Sequence, residues 1–136
     1  MKWQAESSVG IEEIDNQHKE LLRLFSAVEK AVIAGQGWSA IHFGLLEIKH
    51  FAQFHFKFEE ALMRMYGFAE YEEHSELHRL LLKKMEIVEA ESLRKQTRDE
   101  VVRFFREWLL DHIQGADRSY AKHILKCAKV IVPKTT

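Results

Sequence analysis

Apolar side chains return every three or four positions along four separate stretches of this chain, and histidine takes several of the rungs. The first ladder is Ile14, Leu21, Phe25, Val28 and Val32, with His18 at the missing rung and an end at Gly35-Gln36-Gly37. The second runs Ile41, Leu45, Ile48, Ala52, His55, Glu59, Leu62 and Tyr66, and Gly67 is expected to cap it. Phe54, Phe56 and Phe58 alternate as in a strand, but the helical period around them is far longer and wins. Gly44 within this helix costs about 1 kcal/mol relative to alanine and implies a close contact. The third ladder is Tyr71, His74, His78, Leu81, Met85 and Val88, fading in the polar stretch from Ser92 to Gln96. Thr97 with Glu100 forms a capping box for a fourth helix, whose stripe is Val101, Phe105, Trp108 and His112. A shorter fifth helix is expected from Arg118 to Val130. The only proline, Pro133, lies near the end, so nothing interrupts long helices. The expected fold is all-α: an antiparallel up-down-up-down four-helix bundle with a short C-terminal fifth helix.

At 136 residues the chain is expected to form one domain, with an arm over 1–11, the bundle over 12–116 and the last helix over 118–130. Lys and Arg number 20 against 21 Asp and Glu, so the basic excess of a nucleic-acid binder is missing. No stretch reads as a membrane span or a signal peptide, which makes the cytoplasm the expected address. Cys127, the single cysteine, excludes an internal disulfide and fits a reducing compartment.

The histidines are the informative residues. His18, His55, His74, His78 and His112 fall on inward faces, as does Glu59, whereas His42, His50 and His123 fall on solvent faces. One histidine on an apolar stripe is ordinarily a core residue with a hydrogen-bond partner. Five with a carboxylate, on four stripes, are different, because each unpaired buried polar group costs several kcal/mol. A cation removes that cost, since neutral imidazoles and ionised carboxylates are its natural ligands. His55 and Glu59, and His74 and His78, are one helical turn apart and point at one spot. Ser75 stands where a zinc metalloprotease needs its glutamate, so the His74 motif is not that pattern. His112 and Asp117 are five apart, about 140° on an ideal helix, so both reach one site only if the backbone near Gly115 unwinds or carries a π-bulge.

The ordered set His18, His55-x-x-x-Glu59, His74-x-x-x-His78, His112-x-x-x-x-Asp117 resembles the complete ligand signature of the hemerythrin family. Trp3 and the segment Ser8-Val-Gly-Ile-Glu-Glu-Ile-Asp-Asn-Gln-His18 resemble its bacterial members, the bacteriohemerythrins. The resemblance implies a non-haem centre of two iron ions. It assigns His74, His78 and His112 to one iron and His18 and His55 to the other. Glu59, Asp117 and a solvent-derived oxo or hydroxo group would bridge them. All octahedral positions but one are then filled, and the open one, on the His18/His55 iron, fits dioxygen or another small diatomic. Phe56, Trp108 and Leu109 would line that pocket.

Ferritin-like di-iron proteins use more carboxylates and Glu-x-x-His motifs, which these ladders lack. Fewer anionic ligands favour the ferrous state, so bound dioxygen can leave again. The expected function is reversible dioxygen binding rather than enzymatic turnover, by a monomer that could supply an oxygen-using enzyme. The alternatives are a di-iron oxidase, nitric-oxide handling, or an oxygen or redox sensor.

Overall fold

The computed structural model describes residues 3–95, 98–112 and 117–131, without the side chains of 92, 95, 117–119 and 128–131. After a 3-10 turn at Ala5–Ser7 come α1 (Glu12–Ile33), α2 (Trp38–Met65), α3 (Tyr71–Lys95), α4 (Arg98–Asp111) and α5 (Asp117–Ile131). Helix α1 packs on α2, α2 on α3, α3 on α4 and α4 back on α1, closing a four-helix ring. Short connections between ring neighbours make the bundle antiparallel, as expected. Helix α5 packs against α2. No described helix is long and apolar enough to cross a membrane.

Glycine sets the first two corners. Gly35 (φ 69°) follows α1, with Gln36 N–H donating to Ala31 O and Gly35 N–H to Val32 O. Gly67 (φ 63°) repeats the arrangement after α2, with Phe68 N–H donating to Met63 O. Both are left-handed caps that spend two otherwise orphaned carbonyls on the chain's reversal. Before α1, the arm is tied down by Asp15, which accepts from the Ser8 hydroxyl at 2.5 Å and from Val9 N–H at 2.9 Å.

Two apolar layers bracket the middle of the bundle. One holds Leu21, Phe25, Val28, Ile41, Leu45, Phe56, Met85, Val101, Phe105 and Leu109. The other, at the opposite end, holds Val9, Ile14 and Ala121 beside Met63, Tyr120 and Ile124. His18 and Glu59 occur between the two layers along their own helices, and His112 follows the first layer's Leu109 at the end of α4. The site is therefore walled by hydrocarbon above and below.

The structure departs from the ladders in two places. Met63 is fully buried where Leu62 was expected to be, and Leu62 and Tyr66 are only partly buried. A straight helix drifts from a fixed seven-residue repeat, and α5 supplies the wall that covers the drifted face. Helix α3 continues to Lys95, because Ala90, Glu91, Leu93 and Arg94 are good helix formers whatever their polarity. Thr97, the expected cap of α4, lies outside the described residues. The alternating phenylalanines are helical: Phe56 is buried while Phe54 is exposed.

Gly44 makes the close contact expected of it. A Cβ there would meet Val28 Cγ2 at 2.7 Å, and Val28 is buried and stiff at χ1. Gly44→Ala gains about 1 kcal/mol of helix propensity but overpacks at a cost of about 1–3 kcal/mol. Urea denaturation should show a net loss for Gly44→Ala in the parent chain and a gain in a Val28→Ala background.

Candidate metal centre

Each helix of the ring brings one part of the site. Helix α1 contributes His18, α2 contributes His55 and Glu59, and α3 contributes His74 and His78. His112 follows α4 directly, where the backbone takes π-type geometry. Residues 113–116, where a widened turn was expected near Gly115, lie outside the described residues. All six side chains are buried, and His18, His55 and Glu59 have no exposure at all.

Glu59 is the hub. Its Oε1 lies 3.0 Å from His55 Nε2, 3.2 Å from His112 Nε2 and 3.6 Å from His78 Nε2. Its Oε2 accepts the hydroxyl hydrogen of Tyr120, from α5. His55 Nε2 and His112 Nε2 are 3.0 Å apart. One donor atom from each of His18, His55, Glu59 and His112 falls within 4.8 Å of the others. Ring-centroid distances of 5.1 Å to His55, 5.6 Å to His18 and 5.8 Å to His78 put His112 between the α1/α2 and α3 histidines. His74 stands one turn before His78, their rings 6.3 Å apart, on the side of Phe68 and Tyr120. The side chain of Asp117 lies outside the described residues.

This donor set fits a cation. Neighbouring ligands on bonds of about 2.1 Å at right angles are separated by about 3 Å, the spacing found among His55, Glu59 and His112. His74 Nδ1 and His78 Nε2 are buried and make no hydrogen bond, which is costly without a positive partner. Burial pushes the His78 imidazole below its ordinary pKa of 6.5, against the opposing pull of Glu59 and Glu60. The neutral ring is the form that ligates.

Aromatic rings back the histidines. Phe56 stacks on His78 at 4.0 Å and 4°, and Trp108 lies nearly parallel to His112 at 5.6 Å and 18°. Phe56 and Trp108 meet edge to face at 5.9 Å, and fully buried Leu109 belongs to the same cluster. A groove of about 300 Å³ between α3 and α4, lined by Leu77, Leu81, Phe104 and Trp108, reaches His112.

Three residues around the site were not singled out in the sequence. Gln17 accepts from His55 Nδ1 at 2.7 Å, Glu60 accepts from His78 Nδ1 at 3.0 Å, and Tyr120 reaches Glu59. Each is adjacent to one of the expected ligands or one turn from one, but only helix packing shows which group it meets. His123 needs correction: it is partly buried, and its Nε2 is 2.8 Å from Tyr66 O. Helix α5 folds onto the end of α2, covering a face that its own periodicity left open. His42 and His50 are exposed, as expected.

Imidazoles and a buried carboxylate converging from the helices of an antiparallel bundle define a metal-binding helical protein. Residues 9–124 match the family described as Hemerythrin HHE cation binding domain, and the chain belongs to the hemerythrin family. It is 29% identical to a bacteriohemerythrin of Stenotrophomonas maltophilia, over 90% of this chain and 80% of that protein. It is 30% identical to a hemerythrin-like protein of Naegleria gruberi, over 87% of this chain and 88% of that one. A bacteriohemerythrin of Clostridium acetobutylicum is 28% identical, with 87% and 96% covered.

The His78 shift has a sign. The unfolded ring takes a proton near pH 6.5, whereas the folded ring resists it until lower pH. The unfolded state then binds more protons, so stability is full above about 6.5 and falls as the pH drops toward the folded pKa. Metal-free protein should therefore unfold at lower urea at pH 5.5 than at pH 7.5. Equal midpoints would contradict this.

Proposed function

We propose that the chain binds dioxygen reversibly at a pair of iron ions held inside the bundle. The observation that carries this reading is the convergence of buried His18, His55, His78 and His112 on the fully buried Glu59. His74, His78 and His112 would hold one iron and His18 and His55 the other. Glu59, Asp117 and an oxo or hydroxo group would bridge the two. When bound, the pair supplies electrons that dioxygen borrows and returns. The protein's own work is to orient and exclude. Gln17 and Glu60 fix the proton of His55 and His78 on Nδ1, leaving Nε2 toward the centre. Tyr120 holds one oxygen of Glu59 so that the other faces the imidazoles. Phe56, Trp108 and Leu109 form a dry wall that passes a small apolar gas and denies water and protons. We infer one functional unit spanning the chain, working in a reducing compartment, with an oxygen-using enzyme as a recipient.

Elemental analysis of protein expressed with ample iron should give two irons per chain. One metal, or mainly zinc, would sink the assignment, since zinc prefers four-coordinate sites. The metal-free form should melt below the loaded one, because metal binding is coupled to the fold.

Leu109→Ala should open the wall to water and hasten decay of the oxygenated form, at a stability cost of about 2–5 kcal/mol. The absorption spectrum of reduced protein, followed through exposure to air and removal of the gas, measures both reversibility and decay. An unchanged decay rate at equal iron content would reduce Leu109 to packing.

A further inference from the structure

The histidines of the site differ in what stands behind them. Glu60 follows Glu59 on α2 and so points about 100° away from it, toward α3. One of its oxygens accepts His78 Nδ1–H at 3.0 Å, and the other accepts the Ser75 hydroxyl at 2.7 Å. Ser75 and His78 are three apart on α3, so a single helical face grips both carboxylate oxygens. Across the site, His55 Nδ1–H donates instead to the amide oxygen of Gln17, at 2.7 Å.

An ionised carboxylate can only accept, so the His78 proton sits on Nδ1 and the Nε2 lone pair faces the centre. Both contacts fix a tautomer. Only one brings a negative charge. A carboxylate behind an imidazole raises the basicity of the nitrogen that faces a metal, and a neutral amide does so much less. Glu60 keeps 20% of its side chain exposed, toward a groove of about 660 Å³ that Lys57 and Ser75 also line. Its charge is therefore not fully desolvated, and it can be carried beside a buried site. Gln17, by contrast, is buried and neutral.

Resting on the two-iron reading above, the geometry points to a graded site: Glu60 makes His78 the stronger donor, so metal on the His74/His78 side is held longer than metal on the His18/His55 side. Glu60 is a positioning residue that acts through His78.

The test loads the full chain anaerobically with ferrous iron, adds excess chelator and follows the coloured chelate. The parent should release iron in two phases. Glu60→Gln keeps an acceptor for Nδ1–H but removes the charge, and should hasten the slow phase about tenfold or more while sparing the fast one. Gln17→Glu should slow the fast phase. Equal release from parent and Glu60→Gln overturns the proposal, as does an effect of Glu60→Gln on the fast phase alone. Imidazole nitrogen shifts of the metal-free chain give a second readout, independent of iron. His78 should be Nδ1-protonated in the parent and in Glu60→Gln, and should lose that preference in Glu60→Ala. An Nε2-protonated His78 in the parent overturns the proposal. Loading of a single iron fails the two-iron reading separately, and the effect of Glu60→Gln on its one release rate still decides the role of Glu60.

Discussion

A carboxylate with no solvent exposure sits at the centre of this bundle, and the rest of the structure is arranged to keep it there. An isolated ionised carboxylate in a protein interior costs several kcal/mol even after relaxation. Glu59 meets His55 on its own helix, His78 on α3, His112 beyond α4 and Tyr120 on α5. No single helix could satisfy it. The carboxylate therefore makes folding and site assembly one event: α3 and the residue after α4 each bring an imidazole to it, and α5 brings the hydroxyl that holds its second oxygen.

The apolar layers on either side give these contacts their strength. Between the Leu21–Phe105 layer and the Ile14–Met63–Tyr120 layer, the imidazoles are shielded from water, and electrostatic interactions act through a low dielectric. The same shielding keeps His78 neutral, which is the state a metal ligand needs. Phe56 and Trp108, flat against His78 and His112, limit how far those rings can turn. Rigidity and dryness come from one set of side chains.

Most of the fold could be read from periodicity, and its misses share a cause. The ladders located α1, α2 and the caps at Gly35 and Gly67, because turn chemistry and the helical period are local properties. They misplaced the end of the α2 stripe, preferring Leu62 to Met63, and put His123 in solvent. Both errors lie where α5 folds onto α2. A stripe predicts that a face is buried; it does not say how many neighbours will cover that face.

The site divides along the same line. Residue type and spacing alone marked His18, His55, Glu59, His74, His78 and His112, since burying six such groups on four apolar stripes makes sense only around a shared positive partner. The sequence by itself determined the helices, most of their inward faces and the six buried polar residues that meet between them. Only the tertiary structure decided that Glu59 is the hub, that Tyr120 secures its second oxygen, and that His78 is backed by a carboxylate where His55 is backed by an amide. Those choices depend on which helix faces which and at what height, and side-chain contacts between helices are set by packing, not by the period of any one of them.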